Sequence, residues 1–257
     1  MEAPLPTKTV RINRWLPYWA VLQADVRQTL RSWVYRTWVL VTVLAALGYL
    51  LYRVGVYREA GIIQPATTTV SDLLRWTVLG SVTLIVVLTA GSISSERGTM
   101  ADSVLSRGIS RYQYFLGKWH ARLVVVLGTF LAMGTAALAG GFFLHHEDLS
   151  LTGGLVALAS VEAVLAIVVT CGVTVSAMVN STLLGIAVLW VVLYGSGFVL
   201  SLLPGRLPSL DWALGNLPHL LRGNYDLHAQ GRFIGWSAAV CLVVALIGMV
   251  YFSRRDV

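Results

Sequence analysis

The sequence predicts an all-α integral membrane protein: six transmembrane helices, an N-terminal amphipathic interfacial helix, and a cytoplasmic helix-turn-helix segment between the second and third spans. Three observations predict it. Only 12% of the 257 residues are charged while 56% are hydrophobic, against about 25% charged in an average soluble domain. Apolar runs approaching or reaching the roughly 20 residues that cross a hydrocarbon core recur along the chain. Lysine and arginine, finally, are divided unevenly between the segments that join those runs.

Taken in order, the first 36 residues show no cleavable secretory signal, because the first apolar run comes late and lacks a small-residue border. Residues 15–36 are expected to form the interfacial helix. Asp25, Arg27, Gln28 and Arg31 interrupt this stretch too often for a span. Yet Trp15, Trp19, Leu22, Val26, Leu30 and Trp33 recur at three- and four-residue spacing as one apolar stripe, with Gln23, Arg27 and Arg31 mostly off it. A tryptophan-rich stripe beside arginines suits a helix lying among lipid headgroups; a soluble helix packed on a partner would show the same pattern.

Six apolar segments follow, at 38–52, 73–93, 123–144, 155–179, 183–203 and 233–252, the first short enough to borrow its start from 33–37. With the N-terminus inside, thirteen cations lie on the cytoplasmic side: Lys8, Arg11, Arg14, Arg27, Arg31, Arg36, Arg97, Arg107, Arg111, Lys118, Arg122, Arg254 and Arg255. Six lie outside: Arg53, Arg58, Arg75, Arg206, Arg222 and Arg232. This asymmetry obeys the positive-inside rule and places both termini in the cytoplasm. The formal charge of +7 is therefore a topology signal, and no nucleic-acid partner is expected.

Two connections have order of their own. In 94–120, Thr99 with Asp102 and Ser110 with Gln113 are capping-box patterns, and Gly108 between them permits a reversal, so a helix, a turn and a second helix leading into the third span are expected. In 204–232, Trp212, Leu214, Leu217, Leu220 and Leu221 lie between Pro204, Pro208, Pro218 and Gly223. That segment is too apolar for an exposed loop and reads as short helices dipping into the outer leaflet or capping the bundle. No internal repeat or low-complexity linker divides the chain, so residues 1–257 are read as a single transmembrane domain.

No catalytic constellation is present. Gly195-Ser196-Gly197 resembles part of a rhomboid serine motif, but Tyr194 stands where a glycine is needed and the sixth span offers no histidine base. The small residues read instead as helix-packing positions. No H-E-x-x-H and no phosphate-cradling G-x-x-x-x-G-K-[ST] occurs, so an ATP requirement would have to be met by another chain. No metal site is expected. His145-His146-Glu147-Asp148 could bind copper or zinc, yet it reads as a solvated outer turn, and Cys171 and Cys241 read as small core residues. Glu162 is the one acid well inside a predicted span, about two turns from its outer end. A carboxylate at that depth marks a functional position, or it makes an interhelical hydrogen bond, and both readings stay open.

Ser95-Glu96-Arg97-Gly98-Thr99, then Ser106-Arg107, Ser110-Arg111 and Gly117-Lys118, resemble a pattern found after the second span of ABC-2-type permeases, where E-R-x-x-G-T is followed by S-R and by a G-K leading into the third span. This chain departs in having Gly98-Thr99 directly after Glu96-Arg97. The closing Phe252-Ser253-Arg254-Arg255-Asp256-Val257 and the layout of interfacial helix, six spans and apolar outer segment extend the resemblance over essentially the whole chain.

The resemblance implies a permease subunit in the inner (cytoplasmic) membrane, working with a second permease copy and a separate ATP-binding cassette ATPase that holds the ATP and Mg. The chain itself would carry no cofactor and no enzymatic activity. It implies that Glu96, Arg97, Gly98, Thr99, Arg107, Arg111 and Lys118 couple to the ATPase. An alternative is a membrane scaffold of the same kind acting on an extracytoplasmic protein, as in relatives linked to copper-site assembly of nitrous oxide reductase. Cargo is not legible: Thr83, Thr89, Thr129, Thr135, Ser160, Thr170, Thr174, Ser176 and Ser196 form no charged cluster and are as consistent with helix-helix contacts as with a polar path.

Overall fold

The computed structural model describes residues 15–60, 65–96, 109–144, 149–202 and 210–254. Among them are eight α-helices and no strand: α1 (Leu16–Arg31), α2 (Trp33–Ala60), α3 (Ala66–Ala90), α4 (Arg111–Leu144), α5 (Leu151–Met178), α6 (Thr182–Leu202), α7 (Leu210–Leu221) and α8 (Leu227–Arg254). A single 3-10 turn, Ser94–Glu96, follows α3.

The expected interfacial helix over 15–36 is broken at Ser32. There the backbone turns extended (ψ 140) and closes α1, while the Ser32 hydroxyl accepts from the amide of Tyr35 at 3.2 Å and starts α2. This is the N-cap arrangement that short hydroxyl side chains favour. Residues 33–36 thus belong to the first apolar helix, which does borrow its start from Trp33.

Five helical stretches are long and apolar enough to cross a bilayer: Trp33–Glu59, Ala66–Glu96, Arg111–Phe142, Leu151–Met178 and Leu227–Arg254. The chain is therefore a multi-pass α-helical membrane protein by length and composition. The segment expected as a fifth span forms α6, 21 residues long; its stretch Thr182–Gly195 is apolar but shorter than a span.

Helix α5 is the hub, packing on α3, α4, α6, α7 and α8. Its Leu158, Val161, Leu165, Val169 and Val173 are all buried. Burial separates an inner layer from a rim: 61% of the apolar windows of α3 and α5 is buried, against none of that of α2. An apolar helix with no fully buried residue in its window turns much of its surface to lipid or to another subunit.

The apolar segment before the last helix is ordered as α7, which lies against α5 and α3 with Leu214, Leu217, Leu220 and Leu221 buried. Its end is set by close approach. A Cβ at Gly153 would collide with the Leu220 carbonyl, and Gly223 adopts φ +82, where L side chains are strained. The amide of Ser150 then donates to the carbonyl of Leu221 at 2.9 Å.

Candidate functional site

The 3-10 turn after α3, the first turns of α4 and the buried face of α1 meet at one end of the bundle. Each is brought there by its own local sequence. The reciprocal capping box expected at Ser110 forms: the amide of Gln113 donates to Ser110 Oγ (3.3 Å) and the amide of Ser110 to Gln113 Oε1 (3.2 Å). From that cap α4 runs without interruption through a polar extension, 111–122, into its apolar stretch. The turn at 94–96 is held by Ser176, whose hydroxyl accepts from the amides of Ile93 (2.9 Å) and Ser94 (3.1 Å). The C-terminal turn of α5 thereby sets where Glu96 points.

On α1, Tyr18, Val21, Leu22, Asp25 and Thr29 recur at three- and four-residue spacing and face inward, with Asp25 and Thr29 each only 2% exposed. Gly117 on α4 lets this face approach, because a Cβ there would stand 2.8 Å from Val21 Cγ1. The Tyr18 hydroxyl meets His120 Nδ1 at 3.1 Å, and burial raises the Tyr18 phenol above its usual pKa.

Four ionic side chains converge in that contact. Lys118 Nζ donates to Asp25 Oδ1 (2.7 Å) and to Glu96 Oε1 (2.6 Å), one ammonium shared by two carboxylates. Tyr114 donates its hydroxyl to Glu96 Oε2 at 2.6 Å. Arg122 lies beside Asp25, Nε to Oδ2 3.3 Å, and its Nη1 donates to Thr29 Oγ1 at 2.6 Å. The Thr29 hydroxyl in turn donates to the Asp25 carbonyl at 2.8 Å. Two carboxylates and two cations leave no net charge. The side chains of Asp25 and Lys118 are 1% and 4% exposed, against 19% for Glu96. Taking such charges out of water costs several kcal/mol per ion unless each is paired and hydrogen-bonded. The pairing is incomplete at one point: Asp25 Oδ2 and Arg122 Nε face each other without hydrogen-bond geometry.

The structure thus gives three of the expected coupling residues partners within the chain. Glu96 and Lys118 belong to the buried network, and Arg111 Nη1 donates to the carbonyl of Ser253 near the end of α8 at 3.2 Å. Arg97, Gly98, Thr99 and Arg107, with the Thr99–Asp102 capping pattern, lie outside the described residues, as do His145 and His146. Among the described residues no group of three or more metal-binding side chains occurs, and Cys171 and Cys241 are free thiols.

Sequence reasoning missed Asp25, Thr29, Tyr114, Arg122 and Ser176 as members of this site. Asp25 stands out only as a charge interrupting an apolar stripe, and Arg122 only as a topology charge. The available signal was spacing: Lys118 and Arg122 lie four residues apart on α4, as do Asp25 and Thr29 on α1, so each pair shares a helix face.

Glu162 sits about 17 Å along α5 from Leu151, roughly three turns in rather than two. Its Oε1 is buried, and among the described residues it has no hydrogen-bond partner. Most of the span hydroxyls singled out in the sequence bond within their own helix. Thr89, Thr129, Thr135, Ser160 and Thr170 each donate to the carbonyl four residues back in their own helix, and Ser160 also reaches Gln230 Oε1 on α8 at 3.0 Å. Compared with known proteins, the chain matches no family model and no curated sequence.

Proposed function

We propose that this chain is the membrane subunit of an ABC-2-type exporter, six spans with both termini cytoplasmic, driven by a separate ATP-binding cassette ATPase and paired with a second permease copy. One observation carries the reading: a buried ion network joins the interfacial helix α1, the turn after α3 and the start of α4 into one body, at the segment where the resemblance puts the ATPase contact. Residues 97–108 connect two parts of that body, Glu96 on one side and the Ser110 cap on the other. A push on those residues would be delivered to α1, α3 and α4 together, because a packed and ion-paired joint transmits rigid-body motion. Arg97 and Arg107 then remain as docking charges, while Glu96, Arg111 and Lys118 hold the frame.

The two roles separate experimentally in the reconstituted chain with a P-loop ATPase that co-purifies with it. Arg97→Glu with Arg107→Glu is expected to abolish co-purification. Lys118→Gln is expected to leave the ATPase bound while export falls at least tenfold. A stable chain that never recruits an ATPase would sink the reading.

A further inference from the structure

Helix α1 has three long faces, and burying one residue fixes the character of the other two. Asp25 is the only acid in α1, and its carboxylate is held by Lys118 and Arg122 on the inward face. The remaining surface therefore carries cations alone. Arg27 and Arg31 are exposed on α1, and Arg36 is exposed in the first turn of α2. Among the described residues none of the three takes part in an ion pair. Had Asp25 faced outward, it would have offset one guanidinium in place.

The same helix exposes apolar area, Trp19 61% and Leu30 43%, and Trp33 at the start of α2 is 76% exposed. At about 100° per residue, Trp15, Trp19 and Leu30 fall on one flank of the buried face and Arg27 and Arg31 beyond them. Exposed indoles are the side chains that settle at the headgroup level, and guanidinium forks match phosphate oxygens bidentately. The surface is also tethered at a membrane boundary, because α1 is separated by Ser32 alone from α2, whose apolar window is unburied.

We propose that Arg27, Arg31 and Arg36, with Trp19 and Trp33, form a binding surface for anionic phospholipid headgroups. The proposal rests on the membrane assignment and not on the exporter reading. Charge complementarity selects the occupant: a zwitterionic headgroup supplies a phosphate but brings its own cation, leaving the arginines as unbalanced as before.

The test uses the full chain, delipidated in neutral detergent and titrated with phosphatidylglycerol or phosphatidylcholine of equal acyl length, with bound lipids counted by native mass spectrometry. The unmodified chain is expected to prefer phosphatidylglycerol. Each single change, Arg27→Gln, Arg31→Gln or Arg36→Gln, should weaken that lipid roughly fivefold and the triple variant about a hundredfold, from ~1 kcal/mol per basic residue near an anionic surface. The control removes the same charge elsewhere, from the exposed Arg75, Arg222 and Arg232, and should keep the preference. Equal loss in control and triple variant would mean that only net charge is sensed, and would overturn the proposal. So would an unchanged preference in the triple variant. The single variants carry the test if the triple variant fails to fold.

Discussion

Lys118 is the residue on which the site turns, since two carboxylates from two separate segments share its ammonium. Removing one partner of a buried ion pair costs more than the pair contributes, because the charges left behind stay desolvated. Lys118→Met should therefore lower stability by about 3–5 kcal/mol, measurable as a drop in melting temperature of the detergent-solubilised chain. An unchanged melting temperature would show that the network is not closed in solution. Glu162 makes the contrasting case. Among the described residues it has no ion pair to lose, so Glu162→Gln should leave melting and expression as they are, and its effect should appear in flux. Unchanged export at normal expression would remove it from the mechanism.

Among the elements, the contact of α1 with α4 matters most, and its closeness depends on Gly117 facing Val21. A valine at 117 cannot be accommodated without moving α1, and overpacking of this kind typically costs about 1–3 kcal/mol. Separation should also undo the Lys118–Asp25 pair. Gly117→Val is accordingly expected to increase protease sensitivity between α1 and α2 while the α3–α5–α8 core stays resistant. Equal cleavage of both regions would place the glycine's role elsewhere. Capping at this scale was legible beforehand: the Ser110–Gln113 box is local in sequence and formed as read. The Ser32 break was not, because a single serine inside a continuous apolar pattern carries no periodicity signal.

For the whole molecule, the unequal burial of its helices separates a core from a surface awaiting company. Helices α3 and α5 are mostly buried by their own chain, whereas α2 and the outward faces of α6 and α8 are not, with Leu183, Val191 and Tyr194 among the most exposed residues. Lipid satisfies such faces, and so does a second copy. By itself the sequence determined that the chain is helical and membrane-embedded, where most of its long helices run, and that a helix caps at Ser110, because these follow from hydropathy and from residues a few positions apart. Only the tertiary structure decided that Asp25, Glu96, Lys118 and Arg122 form one neutral network, that Lys118 faces inward, and that the charges left on the outer face of α1 are all cationic. The physical reason is that ion pairing depends on which faces of separate helices touch, and residues such as Asp25 and Lys118 stand 93 positions apart in the chain.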